Sequence, residues 1–214
     1  MISASTSPDM GRNRSANYED QREAILAQAA ALFASQGYPG TSMNQVAAAS
    51  GLSKPTLYHY FKDKYALLVH IAEGHVKVLE QVVMEVEAMK LKPDAALREM
   101  IERFVMEYAG AADAHRVLTE DVRFLQEPDR QRILGHERKV VEGFADAIAL
   151  LRPELDKAHL TKPLTMLLFG MINWMFTWVR ADGHVTHEQL APMVADLFFG
   201  GLPAVGLPAI KRKR

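Results

Sequence analysis

Apolar residues recur along this chain with the spacing of one helix face, and runs alternating apolar with polar residues between turns are nearly absent. Ile25, Ala29, Leu32 and Phe33 form an i, i+4, i+7, i+8 stripe, and Asn17 with Asp20 suggests a helix start. Gly37 suits a helix end, and Pro39-Gly40 a turn. Ser42-Met43-Asn44-Gln45 has capping-box spacing and opens a short helix that holds Val46 and Ala47, with Gly51 closing it. Ser53 suits the cap of a third helix, where Pro55 is tolerated in the first turn. From about Asp63 a long amphipathic helix runs to a break at Lys90–Pro93, with Leu67, Leu68, Ile71, Val78, Val82 and Val86 as its apolar face. Further helices are expected over about 94–110, 113–126, 128–151, 160–181 and 187–199, bounded by Pro93, Gly110, Pro128, Pro153 and Gly183. The expected fold is therefore all-α, helix packed on helix.

Residues 42–61 carry the sharpest pattern. Two short helices joined by Ala48-Ala49-Ser50-Gly51-Leu52-Ser53 make a helix-turn-helix, with small Ala47 at the crossing and Val46, Leu52 and Leu57 fixing its angle. The second helix would enter a major groove. Lys54 can reach a guanine edge or a phosphate, and Thr56 can bond a base or pack on a thymine methyl. Tyr58, His59, Tyr60 and Lys64 offer donors to phosphates, which position without specifying.

The chain has 214 residues, with 25 basic and 26 acidic side chains. Residues 1–65 carry net +1, residues 66–210 net −6, and Lys211–Arg214 net +4. Steering of DNA by a head of +1 is weak, so affinity would rest on paired half-sites. The absence of cysteine excludes disulfides, thiolate metal sites and cysteine nucleophiles. The polar first twenty residues lack an apolar signal region, and a cytoplasmic protein is expected. Pro163–Val179 is an uncharged stretch at the short edge of spanning length, read here as a buried helix in subunit association rather than a membrane anchor.

No metal or cofactor site is expected. His70 and His75 miss the i, i+4 spacing, His184 and His187 lack a carboxylate partner, and the eight histidines read as solvated or capping residues. Glu120 and Asp121 point to different faces, and no phosphate loop or nucleophile elbow is present, which argues against an enzyme. A helical-bundle enzyme or carrier of apolar ligands is the competing class. Turnover, or equal binding to a palindrome and random DNA, would favour it.

The runs Ala34-Ser35-Gln36-Gly37-Tyr38-Pro39-Gly40-Thr41-Ser42 and Val46 through Lys64 resemble the N-terminal domain of the tetracycline-repressor (TetR) family over about residues 20–68. The resemblance implies a homodimeric transcriptional regulator, most often a repressor, that binds palindromic operator DNA and is released by a small-molecule effector. It matches Lys54 and Pro55 to the base-approaching start of the recognition helix and Thr41 or Ser42, Tyr58, Tyr60 and Lys64 to phosphate contacts, with His59 between them; with Ser53 and Thr56 these are the expected DNA-contacting residues, although Pro55 stands where the family often has glycine. The segment Phe169 to Arg180 with Asp182-Gly183, together with Arg123-Phe124-Leu125 and Arg138, is similar to members that sense acyl-CoA thioesters; a regulator of drug efflux is the alternative. Candidate effector residues are Phe104, Tyr108, Arg123, Phe124, Met171 and Trp174. The candidate dimer face comprises Leu164, Leu168, Met175, Trp178, Met193 and Leu197. The expected organisation is a disordered arm over 1–17, a helix-turn-helix domain over 18–64, a ligand and dimerisation domain over 65–200, and an extended basic tail over 201–214.

Overall fold

The computed structural model describes residues 9–180 and 183–207, with side chains from residue 17 onward. Among the described residues there are ten α-helices and no strand. They are α1 (Asp9–Gln36), α2 (Met43–Ala49), α3 (Lys54–Tyr60), α4 (Lys64–Ala88), α5 (Pro93–Gly110), α6 (Ala112–Glu120), α7 (Asp129–Leu151), α8 (Pro153–Lys157), α9 (Thr161–Asn173) and α10 (His187–Gly201).

The caps set the head's geometry. Ser42 Oγ accepts from the Gln45 N–H at 3.3 Å while Gln45 Oε1 accepts from the Ser42 N–H at 2.8 Å, closing the box at the start of α2. Ser53 Oγ accepts from the Thr56 N–H at 3.3 Å, and Pro55 in the first turn of α3 has no N–H to strand. Asp63 caps α4 by accepting from the Ala66 N–H at 2.7 Å. Gly51 sits at φ +66 in the turn between the two short helices, a backbone conformation that a Cβ disfavours.

Ile25, Phe33, Val46, Leu57, Phe61 and Leu67 belong to one core, which also takes in Val117 and Leu118 of α6, Leu125 of the following segment and Ile133 of α7. A second core gathers Leu79, Val82, Val86, Phe104, Phe144, Leu168, Ile172 and Phe198. Helix α4 serves both: Leu67 to Val76 enter the head's core, and Leu79 to Val86 the body's. Gly143 on α7 lets α4 approach closely, because a Cβ there would run into Val83 Cγ1.

Several boundaries differ from expectation. Helix α1 begins at Asp9 rather than capping at Asn17, so residues 9–17 extend the helix; the rest of the expected arm lies outside the described residues. Val78 is 45% exposed, and His75, Val76 and Leu79 take its place on the buried face of α4. The helix expected over 113–126 stops at Glu120 and is followed by a 3-10 turn over Val122–Phe124. The helix expected over 160–181 ends at Asn173, with a 3-10 turn over Met175–Thr177, and no helix among the described residues is long and apolar enough to cross a membrane. After α10 the chain makes a 3-10 turn, Leu202–Ala204, where Arg152 donates to the carbonyls of Leu202 at 2.6 Å and Val205 at 3.2 Å. Lys211–Arg214 lie outside the described residues.

Candidate nucleic-acid interface

Helix α3 buries Leu57 completely and turns Lys54, Pro55, Thr56, Tyr58 and His59 to solvent. The Lys54 ammonium lies 5.9 Å from the Tyr58 ring, so the two share one outward face. Tyr60 is half-buried and stacks on Tyr18 of α1 at 4.7 Å, while His59 meets the edge of the same Tyr18 ring at 6.3 Å. Tyr18 thus packs α1 against the end of α3, and its place one heptad before Ile25 in the α1 stripe is the signal that marks it.

Other expected donors are engaged within the head. Thr41 is buried, and its hydroxyl faces the carbonyls of Gly37 at 3.0 Å and Leu32 at 3.3 Å, closing the end of α1. Lys64 Nζ donates to the carbonyls of Tyr38 and Thr41, each at 2.7 Å, and lies 3.4 Å from that of Pro39. Its ammonium also sits 4.4 Å from the Tyr38 ring centre. The reason is local: the carbonyls left free by the α1–α2 turn face the first residue of α4, and a lysine stem reaches them. Ser42 and Ser53 are exposed but serve as caps, with Ser53 Oγ also 2.7 Å from Thr56 Oγ1.

The head is tied to the body by polar links along α4 and α7. Tyr65 Oη donates to Asp129 Oδ2 at 2.9 Å and accepts from the Gln126 N–H at 3.0 Å. Burial pushes the Glu73 carboxyl up, yet Arg132 at 3.1 Å and Lys77 at 2.6 Å hold it down at about 2. Phe124 meets Tyr38 at 5.5 Å between ring centres, joining the body's 3-10 turn to the α1–α2 loop.

The six candidate effector residues do not come together. Phe104 and Tyr108 are buried in the body's core, Arg123 is exposed and lies over the Phe124 ring at the head junction, and Met171 and Trp174 face solvent on and just after α9. Of the candidate dimer residues, Leu164, Leu168 and Met175 are buried inside the protomer, whereas Trp178, Met193 and Leu197 are exposed. The exposed apolar side chains are instead Met166, Leu167, Met171, Trp174 and Trp178 on and after α9, with Met193 and Leu197 on α10, which contacts α9. Helix α9 is apolar on nearly every side, so periodicity left open which stripe faces α7 and which faces out.

Two histidines read as solvated or capping are buried. His75 of α4 and His115 of α6 place Nε2 and Nδ1 3.2 Å apart, and the Tyr108 ring stacks on His115 at 3.7 Å. Only the spacing of His75 with Ile71, Leu79 and Val82 on α4 hinted at this.

Comparison with known proteins agrees with this architecture. The family description "Bacterial regulatory proteins, tetR family" matches residues 25–71, and "Tetracyclin repressor-like, C-terminal domain" matches residues 90–202. A TetR-family transcriptional regulator from Bordetella parapertussis is 35% identical, superposes with a TM-score of 0.80, and is matched over 88% of this chain and 98% of that one. The transcriptional activator FasR of Mycolicibacterium smegmatis is 23% identical over 203 residues, which covers 92% of this chain and 91% of FasR. AibR, solved in complex with isovaleryl coenzyme A and operator DNA, is 25% identical with a TM-score of 0.70, over 83% of this chain and 97% of AibR. The helix-turn-helix head, the all-α body and these matches together show that the chain belongs to the TetR family of DNA-binding transcriptional regulators.

Proposed function

We propose that this protein is a dimeric repressor, acting in the cytoplasm, that holds a palindromic operator and is released by a small hydrophobic effector. The observation that carries this reading is α4, one unbroken helix whose first half builds the head's core and whose second half builds the body's. A ligand that favours a different tilt of α4 in the body displaces α3 in the head. Two heads joined through their bodies bind both half-sites only when their separation fits whole helical turns, roughly 34–36 Å each. Lys54, Pro55, Thr56, Tyr58 and His59 are the side chains we assign to the DNA, with Lys54 and Thr56 nearest the base edges.

The exposed side chains Leu167, Met171, Trp174, Trp178, Met193 and Leu197, on or next to the contacting helices α9 and α10, support pairing of two bodies, since exposed apolar surface gathered in one place marks an interface. The likeness to AibR supports an acyl thioester as the effector class. Saturating isovaleryl coenzyme A is expected to weaken operator binding by about 5–150-fold, the usual span of allosteric coupling. Unchanged operator affinity with a panel of bound hydrophobic ligands would overturn the release step.

A further inference from the structure

His115 is 2% exposed and His75 5%, and the pair shares one hydrogen bond at 3.2 Å between His75 Nε2 and His115 Nδ1. That bond leaves the far nitrogen of His115, Nε2, buried and without a partner. Around it stand apolar and aromatic groups: Tyr108 stacked on one side, and the Phe176 ring at 5.9 Å. Asn173, one helical turn before Phe176, likewise has its Oδ1 buried and unpartnered. An orphaned imidazole nitrogen in such surroundings is unusual, because buried polar groups are nearly always satisfied. A ligand oxygen that meets His115 Nε2 recovers the cost of leaving it unpaired.

We propose that His115, backed by His75, is the hydrogen-bonding anchor of the effector site, and that the effector buries an uncharged oxygen function there, a carbonyl or hydroxyl. This assignment rests on the effector-release reading above and adds the chemistry of the ligand. The charged groups nearby favour a neutral oxygen over a carboxylate or phosphate. Burial holds both imidazoles in the neutral form, with the His75 ring further depressing His115. Tyr108 is pushed up by burial, as is Glu137, the acid that acts on it. Arg116, over the Phe176 ring at 5.9 Å, is engaged by Glu120 at 3.2 Å. Arg138 acts on Glu137, so a carboxylate entering this region would have to compete with Glu120 and Glu137 for these cations and would keep much of its desolvation cost. With His75 donating to His115 Nδ1, His115 Nε2–H is a donor for a carbonyl; in the opposite tautomer Nε2 accepts from a hydroxyl.

The test uses the full-length dimer and three probes of equal chain length: 2-octanone, 1-octanol and octanoate, titrated calorimetrically at pH 7.5. The expected result is that the ketone or the alcohol binds at least about tenfold more tightly than octanoate, and that His115→Phe removes most of that preference while His115→Gln keeps it. The wild-type comparison needs no variant to fold. Octanoate binding as tightly as both neutral probes, no binding of any probe, or full ketone affinity in His115→Phe would each overturn the assignment. Release of the operator by isovaleryl coenzyme A alongside any of these results would leave the effector-release reading standing and remove only the His115 anchor.

Discussion

Lys64 donates to the Tyr38 carbonyl at 2.7 Å and places its ammonium 4.4 Å from the Tyr38 ring, so this lysine is a staple between α4 and the α1–α2 loop. Replacing it with methionine keeps the stem and removes the charge-assisted bonds, which lowers head stability by roughly 1–3 kcal/mol. Operator affinity should fall, while the slope of log K against log salt stays as in the wild type. A slope smaller by about 0.9 in Lys64→Met would make it a phosphate contact instead.

Lys54 has no such internal role: it is exposed and leans toward the Tyr58 ring. Lys54→Ala should cost about 1–3 kcal/mol on the preferred operator and far less on random duplex. Fluorescence anisotropy on both duplexes decides the matter, and equal losses would place Lys54 on a phosphate.

An exposed and a buried leucine of the body offer a contrast. Leu197 is 70% exposed, whereas Leu168 is fully buried. Leu197→Asp is expected to yield folded monomers by light scattering, with operator affinity reduced by orders of magnitude because paired half-sites are lost. Leu168→Ala should lower stability by about 2–5 kcal/mol and leave the oligomeric state unchanged. A Leu197→Asp protein that stays dimeric would move the interface elsewhere.

Stability should depend on acid through the buried histidine pair. Burial lowers His75 from 6.5 to about 4 and His115 from 6.5 to about 3. The unfolded chain therefore binds protons below pH 6.5 that the folded chain refuses, and stability falls as pH drops from 6.5 towards 4. Each histidine accounts for a loss of roughly 3 kcal/mol across that window, on the order of 5–6 kcal/mol for the pair. Glu137, raised by burial, acts in the opposite sense, so the double variant His75→Phe/His115→Phe isolates the pair. Its melting temperature should fall less than that of the wild type between pH 7.0 and 5.0; equal falls would contradict the assignment of burial as the cause.

The head was legible in the sequence because its signals are local. Ser42, Gly51, Ser53 and Asp63 act through neighbours three residues away, and each stands where a cap or turn needs it. Lys64 was not legible, because its partners are carbonyls that meet it only after α4 has packed on the α1–α2 loop, and Thr41 was not, because its hydroxyl turns back onto Gly37 and Leu32 instead of outward. Body contacts were harder still. The uniform apolarity of α9 left its buried stripe, Leu164 and Leu168, indistinguishable from its exposed one, Leu167 and Met171. The His75–His115 pair joins residues 40 positions apart on different helices, which no spacing rule encodes.

Two copies of α3, held at a fixed separation by paired bodies, are expected to read a palindrome. Selection from a random pool of duplex DNA, followed by anisotropy titration of the enriched sequence, decides this. The prediction is an inverted repeat whose half-site centres lie roughly one or two helical turns apart, bound at least about 1,000-fold more tightly than random DNA. Enrichment of no inverted repeat, or equal affinity for the selected and random duplexes, would contradict it.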